Sequence, residues 1–441
     1  MGGTLESVFN RLDLRGTKKP LTELLPQLAI DSIAPRETVR ALLDEVRLGG
    51  DKSVRELTLR FDGVDVPVAV VSVSMLEAAW NIIDESLREA LIVAHDRILN
   101  FHVGEVPNEH TQDSGGVLIS SVAQPVDRVG VYVPGGLAAY PSTVLMTVLP
   151  ALAAGVKDVV VCTPPDGDGE ASNVVLAAAY LCGVTEIFLA GGVQAIAAMA
   201  YGTESLKAVD VIAGPGNAWV AMAKQEVAGH VGIASAFAGP SEIAVIADDT
   251  CPPSSAAVDL VLQAEHGPGG RAWLITWDAT YADEVESATK EIVSLSPRSL
   301  ETRATIETGG FVCLVDDPLQ AMAVVNVLAP EHLQLMFEDA RSFLGQIRHA
   351  GAVFIGNWAP ASIGDYVAGP SHVLPTSGTA RFSGALGVAD FQKKMHIVEV
   401  SKNGFDELRG VVAELAAAEG LWAHGVSVSE RERWANGGVS K

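Results

Sequence analysis

The chain has 441 residues, 48% hydrophobic and 19% charged, with 43 glycines and 22 prolines, which is a globular rather than a disordered profile. That length suits roughly three ordinary domains. A formal net charge of −24 with no basic cluster argues against binding nucleic acid through its phosphates and fits a small or weakly charged substrate better. The opening MGGTLESVFNRLDLRG has no apolar signal core, and no run approaches the about 18 apolar residues of a membrane span, so a soluble cytoplasmic protein is expected. The four cysteines, Cys162, Cys182, Cys251 and Cys313, form no CxxC pair, and three lie in apolar runs. They read as buried thiols of a reducing compartment.

In chain order, residues 1 to about 30 carry few hydrophobic repeats and read as an arm. Two helical patterns follow, ETVRALLDEVRLGGDKSVRELTLRF and MLEAAWNIIDESLREALIVAHDRILNFH. From Arg128 the period changes: RVGVYVPGG, VKDVVVCTPPDG, VTEIFLAGG and VDVIAGPGN are short Val/Ile-rich runs ending in Gly or Pro, interleaved with apolar-periodic helices. Repeated strand, glycine turn and helix predict a parallel sheet with crossover helices. A second series, SEIAVIADD, RAWLITWD, FVCLVDD and AGAVFIGNW, alternates with helices in the same way. The expected class is therefore α/β, with two such units, a helical N-terminal part and a C-terminal piece from about 387. In that piece GFDELRGVVAELAAAEGLWAHG reads as one amphipathic helix.

Ligands of open α/β sheets bind beyond the carboxyl ends of the strands, so the glycine turns are the first place to look. PGG (134–136), AGGVQA (190–195) and AGPGNAW (213–219) lie there, but none spells GxGxxG; Trp219 spoils the spacing that Gly214 and Gly216 begin. They suit either an unorthodox nucleotide site or plain tight turns. In QAEHGPGG, a helix capped by Ser254 or Ser255 would bury Ala257, Val258, Val261 and Leu262, leaving Asp259, Gln263 and His266 on the other face. Gln263 and His266, three apart, can hold one ion, whereas Asp259 lies about 10 Å along the axis from His266. The same face also reads as an ordinary solvated one. In LAPEHLQL, Pro330 suits the first turn of a helix, with Glu331 and His332 next and about 100° apart, able to act on two atoms of one substrate. A plain cap with a surface histidine is the simpler reading of these residues alone. ASIGDYVAGPSHVLPT, with Asp365 and His372, is too rich in breakers for regular structure and reads as a functional loop. AAAEGLWAHG sets Glu419 and His424 near the end of the final helix. Gln263, His266, Asp365 and His424 together make an oxygen and nitrogen donor set without thiolate, which suits zinc or manganese in an open site.

VGVYVPGG, GGVQAIAA, GPGNAWV, AGPSE, LVLQAEHGP, PEHL, GDY, SHVLPT, LGVADFQKKM and AAAEGLWAH occur in this order, and over nearly its whole length the chain resembles the histidinol dehydrogenases. The resemblance implies a zinc-dependent homodimer that oxidises L-histidinol to L-histidine through an aldehyde in two NAD-dependent steps, at the end of histidine biosynthesis. It implies two incomplete Rossmann-like units: residues 28–131 with 243–386, carrying most zinc and catalytic residues, and 132–242, binding NAD. An arm of 1–27 and a tail of 387–441, exchanged between protomers, would flank them. Carried over, Gln263, His266, Asp365 and His424 hold the zinc, one ion per subunit. Ser241, Glu419, His332 and the four ligands bind the substrate, with His372 in reach, and Tyr132, Gln194 and Asn217 line the NAD site. SGTARFSGALG is a local departure that costs none of these residues.

On this reading His332 is the base for both hydride transfers, Glu331 activates the water that hydrates the aldehyde, and zinc orients the substrate. Two rivals remain open from sequence. A zinc-dependent hydrolase of a small chelating or imidazole-containing substrate would use the same ligands without needing the glycine turns. A non-catalytic nucleotide-binding regulator would have no use for Glu331 and His332.

Overall fold

The computed structural model describes residues 8–26, 34–67, 70–135, 139–234, 241–265, 267 and 269–435. The chain opens with β1 (Asn10–Asp13), α1 (Leu21–Leu24), α2 (Arg36–Asp62), β2 (Val70–Val71), α3 (Val73–Ile82) and α4 (Glu85–Gly104). A hairpin, β3 (His110–Ser114) and β4 (Val117–Pro125), precedes the first alternating series. That series is β5 (Arg128–Tyr132), α5 (Pro141–Ala153), β6 (Asp158–Thr163), α6 (Asn173–Leu181), β7 (Glu186–Leu189), α7 (Gly192–Tyr201), β8 (Val211–Ala213), α8 (Ala218–Val227) and β9 (Gly232–Ile233). The second comprises β10 (Glu242–Ala247), α9 (Pro253–Ala264), β11 (Arg271–Thr276), α10 (Ala279–Leu295), α11 (Ser299–Gly309), β12 (Gly310–Leu314), α12 (Pro318–Leu328), β13 (His332–Met336), β14 (Ala352–Ile355) and α13 (Ala361–Tyr366). β15 (Gln392–Val400), α14 (Lys402–Ala418) and α15 (Trp422–Ala435) close it.

Both alternating series make six-stranded sheets, in the orders β2-β7-β6-β5-β8-β9 and β1-β12-β11-β10-β13-β14. All neighbours in the second sheet are parallel, and in the first only β2 runs against its partner. Each alternating series starts near the middle of its sheet, winds outward one way and then switches sides, between β5 and β8 in one and between β10 and β13 in the other, while the earlier strands β2 and β1 lie at edges. This is the doubly wound α/β plan expected from the sequence. The strands read as unbroken apolar runs because helices cover both of their faces. Along β5, Val129 and Val131 join the core formed with α5 and α6, while Tyr132 turns to the side of α7 and α8.

Several expectations change. The arm supplies β1, an edge strand parallel to β12, so it belongs to a sheet; a four-residue strand is too short to show a period. Helices α2, α3 and α4 pack against α7, α6 and α5, on the sheet that holds β5 to β9, whereas the resemblance implies a unit of 28–131 with 243–386. An amphipathic stripe announces a buried face without naming the sheet that covers it. The C-terminal helix is two helices: α14 ends at Ala418 with Glu419 as its C-cap, Gly420 takes φ 70°, and Leu421 and Gly420 donate their N–H groups to the carbonyls of Ala416 and Ala417. Such a left-handed stop outweighs a continuing apolar period. The two last helices form a separate unit with β15 and the hairpin β3–β4, which the sequence pattern does not announce, over the described residues 107–125 and 392–435. All four cysteines are buried and free, and no described helix is long and apolar enough to cross a membrane.

Candidate active site

The expected helix start at Pro330 is a strand start instead. Helix α12 ends at Leu328, with Ala329 left-handed at φ 50°, so Pro330 follows a helix rather than opening one. His332 is the first residue of β13, paired with Ile243 of β10, and HLQLM alternates between the two faces of the sheet. His332 and Gln334 thereby share the face of Met336, on which α9 and α13 pack, while Leu333 and Leu335 point into the opposite core. The catalytic candidates consequently sit at the amino ends of β10 and β13, not beyond the carboxyl ends where the glycine turns lie.

Across this edge the side chains form one network. The backbone N–H of Glu242 donates to Glu331 Oε2 at 2.9 Å, and the Ser241 hydroxyl bonds the same carboxylate. Glu242 O lies 3.3 Å from His332 Nδ1. A carbonyl can only accept, so Nδ1 carries the proton and Nε2 is the basic nitrogen of the neutral ring. His332 Nε2 in turn lies 3.3 Å from Asp365 Oδ1, and the ring lies near-parallel to Phe354 at 6.1 Å. Asp365 comes from α13, the short helix inside the stretch expected to be irregular, and its main-chain carbonyl receives His372 Nδ1 at 2.9 Å. Gly351 lets the chain close over Glu331, because a Cβ there would come within 2.5 Å of Glu331 O.

Burial governs the charges. It pushes Glu331 up to about 7, against the pull of His332 and the bond from the Glu242 N–H. Burial likewise raises Glu242 to about 8, helped by the negative charge of Glu331. For His332 burial works downward, but Glu331 and Asp365 outweigh it and lift the imidazole to about 9. A carboxylate poised near neutrality beside a histidine with one committed nitrogen can exchange protons with two atoms of one bound molecule.

On helix α9 the polar face is not the solvated one. Asp259 is 4% and Gln263 1% exposed, whereas Val258, placed in the expected apolar stripe, is 46% exposed. No serine caps the helix, which starts at Pro253. The polar i, i+4 face is therefore turned inward, where Gln334 Nε2 donates to Asp259 Oδ2 at 2.6 Å. Both polar atoms of the Gln263 side chain are buried without a partner among the described residues. A buried amide left so is costly unless something binds it, and its oxygen suits a cation. The donor chemistry of Gln263 and Asp365 thus fits the zinc implied by the resemblance. His266 lies outside the described residues, Glu419 and His424 belong to the second unit, and no group of three His, Cys, Asp or Glu side chains among the described residues could hold a metal by itself.

The NAD candidates cluster at the carboxyl ends of the other sheet. The Tyr132 hydroxyl accepts from Gly192 N at 3.1 Å, and burial pushes it up to about 12. Gln194 is buried and donates to Asp62 at 3.4 Å. Asn217 caps α8, its Oδ1 accepting from Trp219 N and Val220 N at 3.1 Å each. The segment after α13 joins the two sheets: Ser371 donates to Met146 O, and Val373, Leu386, Val388 and Phe391 enter the core beside α5. Glu242, Gln334 and Lys224 escaped the sequence reading. Each is a polar residue at a period position otherwise reserved for apolar ones, and that was the available signal.

The histidinol dehydrogenase family profile matches residues 27–432. The chain belongs to the histidinol dehydrogenase family. A histidinol dehydrogenase of Syntrophotalea carbinolica is 48% identical over 398 residues, 90% of this chain and 92% of that protein. That of Bacillus subtilis is 43% identical over 401 residues, 90% and 93% of the two chains. The crystal structure of histidinol dehydrogenase from Elizabethkingia anophelis superposes with a TM-score of 0.93 at 32% identity, covering 98% of this chain and 99% of that one.

Proposed function

We propose that this protein is a cytoplasmic, homodimeric histidinol dehydrogenase that oxidises L-histidinol to L-histidine through L-histidinaldehyde, using two NAD and one zinc per subunit, in the last steps of histidine biosynthesis. The observation that carries the reading is His332, held at Nδ1 by the Glu242 carbonyl and presenting Nε2 beside Asp365, with Glu331 next to it. Bound NAD supplies the hydride acceptor, and bound zinc, held by Gln263, His266, Asp365 and the partner protomer's copy of His424, an anchor for the substrate's nitrogens.

His332 Nε2 takes the hydroxyl proton as hydride leaves the carbinol carbon, giving the aldehyde. Glu331, poised near neutrality by burial, takes a proton from the water that adds to that carbon. The proton that His332 Nε2 took in the first step passes to the former carbonyl oxygen, which completes the diol and frees the nitrogen. The diol then loses a second hydride, and its second proton to His332 Nε2, and becomes the carboxylic acid. Asp365 lifts His332 while its charge is turned on the ring; a carboxylate engaged by a cation leaves the imidazole easier to deprotonate. Ser241 and Glu419 hold the substrate, and Tyr132, Gln194 and Asn217 the cofactor.

The test is absorbance at the NADH band with histidinol and NAD, which a hydrolase or a binding regulator leaves flat. In single turnovers His332→Gln is expected to slow both hydride transfers by about 100-fold or more, the scale of a lost general base. Glu331→Gln is expected to spare the first transfer. Equal loss of both transfers in the two variants would overturn this division of labour.

A further inference from the structure

The sheet of β5 to β9 switches winding direction between β5 and β8, and the turn after β8 lies in that crevice. Gly214 takes φ +104°, and a Cβ there would come within 2.1 Å of Tyr132 O, so the turn is pressed onto the carboxyl end of β5. From below, α8 presents Val220, Ala223, Lys224 and Val227 to the core. Lys224 is 1% exposed, and its ammonium donates to the Gly214 carbonyl. Among the described residues no carboxylate pairs with it. Glu226, two residues on, is bound by Arg36 and Arg40 of α2, and Asp62 at the end of α2 accepts from Gln194. The segment of α7 carries no charged residue, and β5 contributes the Tyr132 hydroxyl, which accepts from Gly192. Also in this region are Arg47 and Tyr201, in cation–π contact, His230 against Tyr201, Asp44 near the Tyr201 hydroxyl, and the buried thiol Cys162 near Tyr132.

An ammonium enclosed in apolar surroundings with one neutral acceptor is an expensive arrangement, and natural cores keep such charges only where an opposite charge meets them. We infer that Lys224 is a positioning residue of the dinucleotide site, tying the Gly214–Asn217 turn to α8 and setting a positive charge beneath the crevice for the diphosphate of the cofactor. The inference rests on the NAD reading above and extends it to a residue that need not touch the cofactor. Burial pulls the Lys224 ammonium down to about 7, so an arriving anion is expected to draw a proton onto it at mildly alkaline pH.

The experiment is calorimetric titration of the zinc-loaded protein with NAD and with ADP-ribose at pH 8, in two buffers of different ionisation enthalpy. Wild type is expected to take up protons on binding either ligand. Lys224→Met, which keeps the apolar stem and removes the charge, is expected to bind both about tenfold or more weakly, to lose the proton uptake, and to keep its affinity for histidinol. Equal affinity in the two proteins, or no uptake by wild type, would overturn the role of Lys224. The uptake measurement decides the matter even if Lys224→Met does not fold. If wild type binds neither ligand, the NAD reading itself falls, and the inference with it.

Discussion

Replacing Glu242 by glutamine tests the electrostatics of the site without any ligand. Glu242 opens β10, is 3% exposed, and is raised to about 8 by burial and by Glu331, although backbone N–H groups of Ser377 and Gly378 favour its charged form. A carboxyl whose titration lies higher in the folded protein than in the unfolded chain takes up a proton on folding at any pH between the two. Its contribution to stability is fullest below the unfolded value of about 4.3 and is lost as pH rises toward 8. Each pH unit between the two titrations is worth about 1.4 kcal/mol, so the loss is up to about 5 kcal/mol. Part of it belongs to the pair with Glu331, which a neutral glutamine side chain relieves, so about 2–5 kcal/mol is the expected range. Glutamine keeps an oxygen for the Ser377 and Gly378 amides and sets its NH2 where Glu242 Oε1 has no partner among the described residues. Urea unfolding at intervals from pH 5 to 9 is the assay. The stability of E242Q relative to wild type should rise between pH 5 and 8 and then level off. Parallel profiles across the range would refute the raised carboxyl and the burial argument behind it.

Asp365→Ala removes an anionic oxygen from a donor set without thiolate, so zinc content after dialysis and histidinol affinity should fall together, by about tenfold or more; full occupancy with normal affinity would count against the ligand assignment. Co-expression of His332→Gln with His424→Ala tests a site shared between protomers. In mixed dimers one site collects both lesions and the other is intact, so random pairing should restore roughly a quarter of wild-type activity, and no recovery with mixed dimers present would rule the exchange out.

How much of this was legible depended on which physical signal each feature leaves in the chain. The two sheets were readable because strands covered on both faces must be apolar throughout and end in turns, and RVGVYVPGG and FVCLVDD say so plainly. Glu331 and His332 were readable as neighbours able to face two atoms of one molecule, but not in their geometry, because Pro330 serves equally before a helix and after one; the left-handed Ala329 decided it. Asp259 and Gln263 were placed opposite the apolar stripe, with a solvated face and a ligand face both open, and the burial of that face was not legible for a related reason. A hydrophobic stripe assumes that the buried face is the apolar face, and an inward site breaks that assumption by design, exposing Val258 to keep two polar groups inside. Lys224 hides in the same way, at a period position between Val220 and Val227 where a leucine would pass unnoticed. The misfits to amphipathic period, rather than the fits, therefore carry the functional information. Gln263, Gln334, Glu242 and Lys224 all pay a desolvation cost that packing alone gives no reason to incur. That cost is the physical reason for expecting each of them to meet a ligand, a reacting atom or a residue that does.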